Sequence, residues 1–244
     1  MDKSAPQQKE TLEFKEPGVY KILHGAAELE RYPLRIELTG ILSAPHDFLK
    51  NKVENYEAKQ AHLLIDRDKN TLILSLNSKD DKSCDTIQGR LSIDPQLEAF
   101  AINTEKRWTV KAFVEFLRQR KFFFKEPDAQ GKLIASLQKW SVNIERVIKE
   151  HNSNDGNSVS SLETKVSGVD LITKFDLDIP VYKGYAKKQF SVQIGLDPKS
   201  THVELFLYSE DLPFLVYSER ERLFGVEVEK FTKLGFDCSV VNIS

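Results

Sequence analysis

An apolar run ending in Asp66-Arg67-Asp68 sets two carboxylates two residues apart. Such a pair can carry phosphoryl transfer, one carboxylate attacking and the other acting as acid and base. That chemistry needs a parallel strand that leads into a helix. Here a second β-favouring run, Thr71 to Leu76, follows at once, so the pair reads as the polar tip of a hairpin. Asp66, Asp68 and Asn70 also share the opening spacing of a calcium loop. Thr71 stands where that loop needs Gly, and Asn77 where it needs a bidentate Glu, which rules it out. The Asn154-Asp155-Gly156-Asn157 stretch lacks the terminal Glu as well.

Other chemical signatures are missing from the sequence. It contains no Gly-rich phosphate loop, no nucleophile elbow and no zinc-binding His pair. None of the five His residues lies near a Cys or Ser that it could activate, and Cys84 and Cys238 stand far apart without metal-ligand spacing. The expectation is a chain without metal or cofactor that leans away from enzymatic work. Dispersed acids such as Asp66 and Asp68 leave a hydrolase or nuclease as a further alternative.

Residues 106–125 carry a different signal. Lys106, Arg107, Lys111, Arg118, Arg120, Lys121 and Lys125 face Glu115 alone, interleaved with Trp108, Phe113, Phe116 and Phe122-Phe123-Phe124. Cations bind phosphates and aromatic rings stack on bases, so Lys106, Arg107, Arg118, Arg120 and Lys121 are candidate nucleic-acid contacts. The competing reading is an amphipathic helix whose rings fill a core and whose charges coat the outside. A second candidate surface is Leu133, Leu137, Trp140, Ile144 and Val147, spaced 4, 3, 4 and 3 and continuing to His151. That spacing suits either an oligomer seam or the buried stripe of a core helix.

The elements that must position these residues follow from periodicity. Residues 1–16 are polar and read as a flexible lead-in. A β-rich region at 17–104 begins with alternation at Val19–Leu23 and Leu34–Leu38, and a short helix is expected within Asp47–Glu57. It continues through the His62–Leu76 hairpin, a turn at Ser78–Asp85, a strand at Thr86–Ile93 and a further one at Leu97–Ile102. The pairing there is expected to be mostly antiparallel. Central helices occupy 105–152: one capped by Thr109, the other carrying the seam and ending near His151, before a polar Asn152–Ser158 loop. A second β region at 159–244 has strands at Val166, Leu171–Tyr182, Phe190–Leu196 and Val203–Tyr208, with Pro180 restricted to an edge or a strand end. A C-terminal helix capped by Ser209 should stop at Gly235, and Phe236–Ile243 closes as a strand. The fold class is therefore α+β, with antiparallel sheet regions flanking a central helical pair and a C-terminal helix. Residues 17–244 could be one domain, and the two β regions one split sheet or two small ones.

Composition bounds the function classes. With 244 residues, 40% apolar and 30% charged, the chain can bury a sizeable core. A net charge of −2 excludes a uniformly basic coat but not a local basic patch. No apolar run approaches a membrane span, and the N-terminal residues lack a secretory h-region, so a cytoplasmic location is expected.

Thr109–Phe116, the Asn152–Ser158 loop and Phe175-Asp-Leu-Asp-Ile-Pro-Val-Tyr-Lys-Gly184, continuing through Phe190 to Glu227, carry a resemblance. In order and spacing, about residues 110–230 resemble an uncharacterised family encoded by phages and prophages, often near recombination genes. The resemblance implies an accessory protein of a mobile element, in the host cytoplasm, and supplies no catalytic residues. The leading expectation is thus a non-enzymatic binding or assembly protein that forms homo-oligomers. The alternative is a DNA-associated accessory factor in recombination or replication.

Overall fold

The computed structural model describes residues 19–20, 31–32, 35–79, 84–126, 128–153, 171–198 and 203–243, with backbone alone at 19–20, 31–32, 144–153 and 198. The strand and helix order is β1 (Val19–Tyr20), β2 (Arg31–Tyr32), β3 (Glu37–Ile41), α1 (Ala44–Leu49), β4 (His62–Asp66), β5 (Thr71–Leu76) and β6 (Asp85–Arg90). Then come α2 (Pro95–Phe100), β7 (Trp108–Thr109), α3 (Val110–Arg118), α4 (Ala129–Ser153) and β8 (Lys174–Pro180). The chain closes with β9 (Lys187–Pro198), β10 (Val203–Tyr208), α5 (Asp211–Lys233) and β11 (Ser239–Asn242). The fold is α+β. Expectations for residues 1–16, for Val166 and for the loop beyond Ser153 lie outside the described residues, as does the middle of the turn at Ser78–Asp85.

The chain divides into two compact units: residues up to Arg90 with those from Glu227 onward, and Leu91–Val226. Each has its own sheet, so the two β regions are separate.

In the first unit the sheet order is β11-β4-β5-β6-β3, besides the two-residue ribbon of β1 and β2. The central strands pair antiparallel, with Leu63 opposite Leu74 and Leu74 opposite Ile87. These residues, with Ile65, Leu72 and Leu76, alternate onto one buried face. The expected antiparallel character stops at the margins. There β3 runs parallel to β6 and β11 runs parallel to β4, because each comes from a distant segment rather than from a tight turn. Gly89 lets α1 approach: a Cβ there would lie 2.5 Å from the Leu42 carbonyl oxygen and 2.9 Å from Pro45 Cδ. Pro45 is in the first turn of α1, where its missing N–H costs nothing. The expected helix at Asp47–Glu57 therefore starts earlier and gives way to a 3₁₀ turn at Val53–Asn55.

In the second unit the order is β7-β10-β9-β8, antiparallel throughout. Phe175, Leu177, Ile179, Phe190, Val192, Ile194, Leu205 and Leu207 are buried. So are Phe113, Val114 and Leu117 of α3 and Leu133, Leu137 and Trp140 of α4. Thr109 caps α3, accepting from the Ala112 amide at 3.2 Å. The buried Gln130 side chain donates to the Leu117 carbonyl and so occupies one of α3's last acceptors. Pro180 ends the edge strand β8.

The strand expected at Leu97–Ile102 is a helix. Asp94 accepts from the Gln96 amide at 2.8 Å, Pro95 follows it in the first turn, and Ala101 (φ 53) stops α2 in the left-handed region. Leu97 and Phe100 are buried three residues apart, one helical turn, whereas a strand would send them to opposite faces; the run is too short for its period to announce this.

Ser209 accepts from the Leu212 amide at 3.3 Å, and Gly235 (φ 70) ends α5 with the Phe236 amide bonded to the Phe231 carbonyl. The helix passes unbroken through Gly225. Its residues to Val226 belong to the second unit and those from Glu227 to the first.

Candidate nucleic-acid interface

The carboxylate pair at Asp66 and Asp68 is the hairpin turn that its context predicts. Asp66 is buried and caps that turn, its Oδ1 accepting from the Lys69 amide at 2.9 Å and its Oδ2 lying 3.1 Å from Lys69 Nζ. Arg67 Nη1 donates to Asn242 Oδ1 at 2.6 Å, which ties the turn to β11. Asp66 is thus a structural acceptor. Among the described residues no three His, Cys, Asp or Glu gather as a metal site.

The basic segment Lys106–Lys125 lies in the second unit, and its aromatics mostly turn inward. Trp108 packs 4.7 Å from Phe116 and 5.7 Å from Phe113, and Phe100 meets Phe116 edge-on at 5.0 Å. Helical spacing decides this: Phe113 and Leu117 lie on the face of α3 toward the core. Four of the named cations are committed within the fold. Lys106 Nζ lies 3.6 Å from the centre of the Trp108 ring, and the Arg107 guanidinium 4.6 Å from that of Phe206. Arg107 also approaches Asp197 at 3.5 Å, and Arg118 pairs with Glu115 at 3.0 Å. Arg120 stacks 3.8 Å from the Phe116 ring and donates to the Phe116 carbonyl at 3.1 Å. Burial pushes its guanidinium down from its ordinary value.

Beyond Arg120 the surface changes character. Lys121–Phe123 form one 3₁₀ turn, and its three-residue repeat separates the following rings. Phe124 points inward, bridging to Leu177 and stacking 5.5 Å from Phe175. Phe122 points outward and is 84% exposed. The Phe122 carbonyl accepts from Lys187 Nζ at 2.8 Å, which fixes the turn against β9. Beside it the Lys125 amide donates to the Asp176 carbonyl at 3.2 Å, so with the Phe124–Leu177 bridge this segment runs antiparallel alongside β8, and a groove lies at their shared end.

That groove encloses about 370 Å³. Ala129, Leu133, Ile172 and Phe175 make its apolar lining, and Lys125, Lys132 and Lys174 bring three ammonium groups to it. Glu126 and Asp176 also border it, and Asp176 Oδ1 accepts from Ser191 Oγ at 2.6 Å. The Ile172 amide donates to Ser136 Oγ at 2.9 Å, which holds the strand approach against α4. Among the described residues Lys121, Lys125, Lys132 and Lys174 have no ion-pair partner.

Sequence reasoning named Lys121 and reached Lys125 by charge count, but missed Lys132 and Lys174. Lys132 adjoins the seam residue Leu133 and Lys174 adjoins the strand residue Phe175; only the pairing of β8 with the 3₁₀ segment brings them together. The seam itself divides. Leu133, Leu137 and Trp140 are fully buried inside the unit and so serve as core stripe rather than as an outward-facing seam. The side chains of Ile144 and Val147 lie outside the described residues. No helix is long and apolar enough to cross a membrane among the described residues.

No family model, curated protein or solved structure matches this chain.

Proposed function

We propose that this chain is a non-enzymatic binding protein whose Leu91–Val226 unit holds nucleic acid, in the accessory role that the phage and prophage resemblance implies. The observation that carries this reading is Lys125, Lys132 and Lys174, without ion-pair partners, at one groove, with Lys121 and exposed Phe122 on the turn that leads into it. Four cations without internal partners can replace the counterions of about four phosphates. An oligomeric assembly has less support, because the described half of the seam is core.

Anisotropy titration of a labelled oligonucleotide tests the proposal. Four phosphate contacts give a log–log salt slope of about −3, and the double variant Lys125→Glu/Lys132→Glu should halve that slope and weaken binding at low salt. Unchanged affinity and slope in the double variant would remove the interface. Both substitutions fall on exposed side chains, so the variant's melting curve should match the parent.

A further inference from the structure

We infer that the preferred ligand of this surface is a single strand, with one unpaired base stacked on Phe122 and the sugar–phosphate backbone following Lys125, Lys132 and Lys174. This inference rests on the nucleic-acid reading above and specifies the form of the ligand. A duplex presents phosphates and groove edges, and its base faces are closed to a protein ring. Charge alone would serve it. The surface here has two features that charge does not need.

The first is Phe122. Its neighbours Phe123 and Phe124 are half-buried and buried, whereas Phe122 is 84% exposed. Its backbone is nevertheless anchored, by Lys187 on its own carbonyl at 2.8 Å and by the Phe124 amide bonded to the Lys121 carbonyl at 3.2 Å. An exposed ring on an anchored turn loses little freedom when a base stacks on it, and any base offers a π face. The second is the groove. Its accessible apolar lining is Ala129 and Ile172, backed by the buried Leu133 and Phe175, while its three ammonium groups come from Lys125, Lys132 and Lys174. Apolar surface between phosphate-binding cations suits a strand whose bases turn toward the protein. Glu126 and Asp176 at the same groove repel phosphates from those positions and leave donors on bases as their partners.

The test compares a labelled oligothymidine of about 16 nucleotides with a duplex of equal length, using the full chain at low salt. The inference expects the single strand to bind at least about tenfold more tightly. Phe122→Ala should weaken single-strand binding roughly 5- to 100-fold and leave the duplex affinity unchanged, with Phe122→Trp restoring it. Equal or tighter duplex binding, or a Phe122→Ala variant indistinguishable from the parent on the single strand, overturns the inference while leaving a nucleic-acid surface standing. Failure to bind either form at low salt overturns both readings.

Discussion

Gly195→Ala should destabilise the Leu91–Val226 unit, and the reason can be isolated. Gly195 of β9 sits opposite Phe206 of β10, and a Cβ on it would lie 2.2 Å from Cζ and 2.5 Å from Cε2 of that ring. The ring lies across the glycine, with the Arg107 guanidinium 4.6 Å from its centre. An added methyl must push the ring away. Overpacking of this kind costs about 1–3 kcal/mol, and the lost cation–π contact adds about 0.5 kcal/mol at this partly exposed site. The gain from replacing Gly by Ala in a strand returns about 0.5–1 kcal/mol, so a net loss of about 1.5 kcal/mol is expected. In a Phe206→Ala background the obstacle is gone, and Gly195→Ala should be neutral or slightly stabilising. The coupling between the two sites is then about 2 kcal/mol. Urea unfolding followed by tryptophan fluorescence suits the assay, because Trp108 and Trp140 both belong to this unit. Equal cost of Gly195→Ala in both backgrounds would show that the Phe206 ring is not the obstacle.

Gly225→Ala should act in the opposite sense: apart from its chain neighbours and the helix's own backbone, no atom lies within 4 Å of the added Cβ, so this interior helix position gains about 0.5–1 kcal/mol, read as a higher urea midpoint. Tyr56→Phe removes the hydroxyl that donates to Asp85 Oδ2 at 2.8 Å and should cost about 1.5 kcal/mol by far-UV circular dichroism. Burial and the Asp85 carboxylate push the Tyr56 phenol up to about 12. Its contribution is therefore whole below the unfolded value of about 10 and disappears as pH rises through the folded value. Burial pushes the Tyr182 phenol up as well, so an ultraviolet titration should show late tyrosinate steps, one of which Tyr56→Phe removes. Glu219 is held below the ordinary glutamate value by its hydrogen bonds from Arg222, which outweigh burial, with Lys188 at 3.0 Å assisting. A depressed carboxylate stabilises above its unfolded value of about 4.3 and loses that contribution as pH falls through the folded one. Glu219→Gln should lower the neutral-pH midpoint and flatten the acid limb of midpoint against pH.

Local signals made much of the fold legible. The β4–β5 hairpin was readable because two β-favouring runs enclose five polar residues. Thr109, Ser209 and Gly235 were readable because a cap or stop sits next to the pattern it ends. What local patterns cannot encode is which distant segments meet. The parallel pairings of β3 with β6 and β11 with β4 have no turn to announce them, and α2 was hidden because the apolar run Leu97–Ile102 is too short to fix a period. The site divides on the same line. Exposed Phe122 and Lys121 lie in one short segment whose charge and aromatic content were visible. Lys132 and Lys174 join it only because the segment after the 3₁₀ turn runs alongside β8, and two of the candidate arginines, Arg118 and Arg120, are engaged with Glu115 and Phe116.

The proposed function puts nucleic acid on the Lys121–Lys125 turn and its groove. Ultraviolet cross-linking of an oligonucleotide to the full chain, followed by peptide mass spectrometry, addresses it most directly. Adducts are expected on the peptides bearing Phe122 and on those bordering Lys132 and Lys174. Adducts confined to residues up to Arg90 or beyond Glu227, with these peptides unmodified, would contradict it.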